Sequence, residues 1–72
     1  MIQYKNAINA IRQAAAIAPA IVGWMEGGWV VYNPGSPPDG VEPEMFIAAQ
    51  GCIPVALSEV GAAVLFSALS LQ

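Results

Sequence analysis

The stretch YNPGSPPDGVEPE, from Tyr32 to Glu44, holds four prolines, two glycines and three acidic residues between two long apolar segments. Proline fixes its own backbone and has no N–H to donate, and glycine supplies bends, so this composition disfavours a helix interior and a central strand. It predicts a solvated, proline-rich connector over residues 33–44. The alternative is a recognition loop that docks on a partner through these candidate residues: Pro34, Pro37, Pro38, Asp39 and Glu42.

The segment before the connector has the periodicity of an amphipathic helix. Apolar residues recur at steps of three and four from Tyr4 to Met25, which predicts a helix over residues 1–25 with one apolar stripe. Pro19 removes a backbone donor and clashes with the preceding turn, so we expect a kink there, or a break into two shorter helices. The stripe supplies five residues to a predicted helix-packing interface: Ile8, Ile11, Ala15, Ala18 and Val22.

The segment after the connector also has apolar residues at the spacing of a helix. Residues 54–71 carry one charge, Glu59, and a proline such as Pro54 suits the first turn of a helix, so we predict a helix over residues 54–71. Alternatively, Ser58 is the cap and Glu59 a first-turn acid, which starts the helix later. This helix supplies the other half of the predicted packing interface: Leu57, Val60, Gly61, Val64 and Ala68.

Two short runs could form strands, although the first of them, WVVY, could equally continue an apolar helix. WVVY at residues 29–32 and MFIAA at residues 45–49 have high strand propensity, and they are candidates for a short β-hairpin across the connector. The fold class expected from the whole pattern is nevertheless mainly α. We predict a single small domain in which two apolar helical segments, the first broken near Pro19, are joined by an acidic loop rich in proline and glycine.

Composition indicates that this chain is covered by partners. Of its 72 residues 57% are hydrophobic and 10% charged, whereas ordinary domains have about 45–50% and about 25%. A chain with so few charges cannot coat a small globule with solvated side chains, so copies of itself or other protein subunits are the expected partners. The net charge is −3, and Lys5 and Arg12 are the only cations, which disfavours nucleic-acid binding.

The residues that carry most enzyme chemistry are scarce. The chain has no histidine and one cysteine, which excludes a disulfide within the chain and any histidine-based triad or metal centre. Cys52 lies among apolar residues with no base nearby in sequence, so we expect a buried structural thiol. The sequence therefore predicts no enzyme, no catalytic or metal site, no cofactor and no small-molecule substrate.

The function expected from these features is that of a non-enzymatic structural subunit in a larger, homo-oligomeric assembly, such as a small virion or phage component or a filament. One alternative is a membrane-inserted helical hairpin, such as a holin-like pore former, because residues 52–71 are long enough to cross a bilayer. Another is a soluble binding module that presents the proline-rich loop. The expected location follows from these classes: a virion or other assembly, or a membrane. The apolar run near Lys5 and Arg12 follows the small-residue site Ala18–Ala20 instead of preceding it, so we expect no cleaved signal peptide.

Overall fold

The first helix, α1, spans Ala7–Ile17 in the computed structural model, which describes residues 2–70. Asn6 caps it, since its side chain accepts a hydrogen bond from the backbone N–H of Ile8 at 2.8 Å. The helix ends two residues before Pro19, as the steric demands of proline require. The prediction of a helix over residues 1–25 is therefore wrong for residues 2–6 and beyond Ile17, and Met1 lies outside the described residues.

The apolar run after Pro19 forms a strand instead of a second helix. Strand β1, Ala20–Met25, turns through Glu26 and Gly27 into strand β2, Gly28–Tyr32. The two strands are antiparallel and pair Val22 with Val31. Near the turn, Trp24 and Trp29 pack edge to face with ring centroids 5.1 Å apart, a geometry that stabilises a cross-strand pair.

Strand β1 is the centre of the sheet. Strand β3, Glu42–Ile47, pairs antiparallel with the other side of β1, and the two-residue strand β4, Val55–Ala56, pairs with β3, so the strand order is β2-β1-β3-β4. The expected hairpin between residues 29–32 and 45–49 is thus wrong in its pairing, because β1 lies between the two strands. With two helices and a four-stranded antiparallel sheet, the fold is a small α+β fold, and the expectation of a mainly α fold is wrong.

One face of the sheet is covered by α1. The small side chains of Ala10 and Ala14 are fully buried there and let the helix approach the strands closely. Residues of the sheet complete the core cluster, of which Met45 and Ile47 on β3 are the largest that are fully buried. The members of the cluster are Ala10, Ala14, Ala20, Val22, Trp29, Met45 and Ile47.

The proline-rich segment packs on the opposite face. Because β2 and β3 both run antiparallel to β1, they are parallel to each other, and residues 33–41 must return across β1 to connect them. A Cβ on Gly23 would lie 2.4 Å from Cγ1 of Val41 and 3.1 Å from the Tyr32 ring, so both residues pack directly on the β1 backbone. Burial raises the pKa of Tyr32 above its ordinary value, because the phenolate loses hydration.

The second helix, α2, spans Glu59–Ser70. It does not start at residue 54: Pro54 precedes β4, and Ser58 precedes the helix as its cap, as the alternative interpretation of this segment expected. Leu71, where the helix was predicted to end, lies outside the described residues. Val64 and Leu65 of α2 pack against the same core cluster as α1, so the two helices share one face of the sheet.

Candidate interaction surfaces

Three large aliphatic side chains lie exposed at the β4 edge of the sheet. Ile53, Val55 and Leu57 are 77%, 58% and 48% exposed. Val55 pairs with Phe46, which pairs with Ile21, so these three side chains lie on one face of the sheet. The residues on either side of Ile21 in β1 belong to the core cluster under the helices. Since side chains alternate along a strand, Val55 lies on the face opposite the helices. Ile53 and Leu57 flank Val55 at a spacing of two residues. We call these three residues the edge surface.

Helix α2 is apolar on nearly all sides but is buried on one side only. Glu59 is its single charged residue. Among residues 59–68, only Gly61 is buried, whereas Val60 is 54% and Phe66 is 75% exposed. Because a helix that is hydrophobic all round is ordinarily buried all round, the exposed side of α2 is suited to a protein partner.

An open cleft separates the two helices. It has a volume of about 310 Å³, and the side chains along it are small or aliphatic. The first turn of α1 forms one wall and the middle of α2 the other, so the helices do not seal against each other here. Six residues line this inter-helix cleft: Ala7, Ile8, Ala63, Val64, Ser67 and Ala68.

A buried carboxylate fixes the start of α2 on the sheet. Glu44 of β3 is 6% exposed, and its Oε2 accepts a hydrogen bond from the Ser58 hydroxyl. The Ser58 oxygen in turn accepts a hydrogen bond from the backbone N–H of Gly61 at 2.9 Å, which satisfies one of the free donors in the first turn. Leu57 N–H also donates to the Glu44 carbonyl at 2.9 Å. These bonds link the helix cap to the strand that carries Glu44.

Replacing Ser58 with alanine is expected to lower the free energy of unfolding by about 2–4 kcal/mol. The change removes a helix cap, which costs about 1 kcal/mol, and leaves the Glu44 carboxyl group without its side-chain partner, which costs about 1–3 kcal/mol. Urea denaturation monitored by circular dichroism measures the loss. Ser36→Ala, in the exposed loop, is the matched control, and equal effects of the two changes would contradict the linkage.

The structure places the predicted α1 interface residues against the sheet. Ile11, Ala15 and Ala18 are half-buried against the core, and Val22 is fully buried within β1. Only Ile8 faces the other helix, across the cleft. The helix-to-helix packing expected from the apolar stripe is thus replaced by helix-to-sheet packing, because the last part of the stripe is itself a strand.

The predicted α2 interface residues are divided between two environments. Gly61 lies against β3, and Val64 packs on the core while also lining the cleft together with Ala68. Leu57 and Val60 are exposed. The structure therefore brings Ile8, Val64 and Ala68 together at the cleft.

The candidate partner loop is partly used inside the fold. Pro34 and Pro38 are half-buried, whereas Pro37 and Asp39 are exposed. Glu42 is exposed but belongs to β3. The exposed part of the loop is thus smaller than its composition indicates.

Two features of the surface were missed in the sequence. Ile53, Val55 and Leu57 alternate with Pro54 and Ala56, which is the period-two pattern of a strand with one apolar side. The second feature is the burial of Glu44, which no local sequence signal marks because its partner Ser58 lies 14 residues away.

Side chains that bind metal ions are scattered over the described part of the chain: residues 2–70 contain no group of three Asp, Glu, Cys or His side chains placed to hold a metal ion. Cys52 is exposed, so the expectation of a buried thiol is wrong. No helix among these residues is long and apolar enough to cross a membrane. The predicted helical hairpin is wrong, because the chain forms a four-stranded sheet together with two short helices. Its two segments instead form an 11-residue helix, a 12-residue helix and the strands between them.

Comparison with known proteins finds no matching family, no matching characterised protein and no matching solved structure.

Proposed function

We propose that this chain is a non-catalytic structural subunit that associates with copies of itself in a larger assembly. The observation that supports this proposal best is the apolar surface of α2 and the β4 edge, where Ile53, Val55 and Val60 are each more than half exposed. A monomer in water would keep this surface hydrated at a cost of roughly 25 cal/mol per Å² of apolar area. Association with another chain removes that cost.

The distribution of charge also supports self-association. Between Met45 and Gln72 the only charged residue is Glu59. Burying a surface without charges avoids the cost of removing ions from water. A filament or particle shell uses such a surface repeatedly, since each copy presents it to the next.

Purified protein without detergent is expected to elute as more than one chain at tens of micromolar concentration. Size-exclusion chromatography with light scattering, repeated over a hundredfold range of concentration, measures the mass directly. A shift toward smaller species on dilution would show reversible association. A single chain across the whole range, with a cooperative melting transition, would contradict the proposal and leave a monomeric binding module as the better description.

A further inference from the structure

We draw no further inference here: the strongest candidate, the apolar inter-helix cleft between α1 and α2 together with the edge surface at β4, is without a partner in the described part of the chain, and nothing in the structure shows what covers it.

Discussion

Replacing Gly61 with alanine is expected to lower the free energy of unfolding by about 3 kcal/mol. A Cβ at this position would lie 1.9 Å from the carbonyl oxygen of Glu44 and 2.8 Å from its carbonyl carbon, distances that no real contact allows. The obstacle is the backbone of Glu44 in β3, so it cannot turn aside as a flexible side chain would. Helix α2 must instead shift outward and weaken the hydrogen bonds that Leu57 and Ser58, just before it, donate to Glu44, with a cost at the upper end of those found for overpacking.

The sign of the change in the free energy of unfolding tests whether α2 is docked on β3. On helix propensity alone, alanine in place of glycine inside a helix stabilises a protein by about 1 kcal/mol, so an isolated or loosely attached α2 would gain stability. Gly35→Ala is the control, because a Cβ there meets only Asn33 Oδ1, at 3.6 Å. Denaturant unfolding of both variants measures the difference, and a Gly61→Ala protein at least as stable as the natural chain would contradict the docking of α2 on β3.

The first helix was predictable because its signal is local. The apolar stripe from Ile8 to Ala15 persists over several turns, and the sequence also contains the proline that stops it. The helix needs no distant partner to be recognised. What the stripe does not reveal is the surface it packs on, and here that surface is a sheet.

Strand β1 was mistaken for helix for a physical reason. The run AIVGWM at residues 20–25 does not alternate between apolar and polar residues. A central strand buried on both faces has no reason to alternate, and here α1 covers one face while Val41 and Tyr32 pack on the other. A short, continuously apolar run fits a buried strand and a buried helix equally well. Gly27, two residues after this run, belongs to the tight turn of the hairpin between β1 and β2.

The role of the proline-rich segment depended on the strand order. Its composition indicates a connector, but a connector between two helices would have no sheet to pack on. Once β1 lies between β2 and β3, the same residues must cross the sheet, and Val41 becomes a packing residue. The inter-helix cleft was equally out of reach, because it exists only after α1 and α2 have packed on the same face of the sheet.

Replacing Met45 with alanine is expected to remove about 2–5 kcal/mol from the free energy of unfolding, out of a total of roughly 4–11 kcal/mol for a chain of this length. Met45 is fully buried, and it lies on β3 between Val22 of β1 and Ala56 of β4, so a cavity there is surrounded by three strands and cannot collapse easily. Met25→Ala is the matched control, since Met25 is half-buried at the hairpin end of β1, and thermal or urea unfolding compares the two. In a helical hairpin the change at Met25 would cost more stability than the change at Met45, because Met25 would be on the packing stripe and Met45 at the margin of a solvated connector. A greater loss at Met25 than at Met45 would therefore contradict the sheet, whereas the expected order follows from the position of Met45 at its centre.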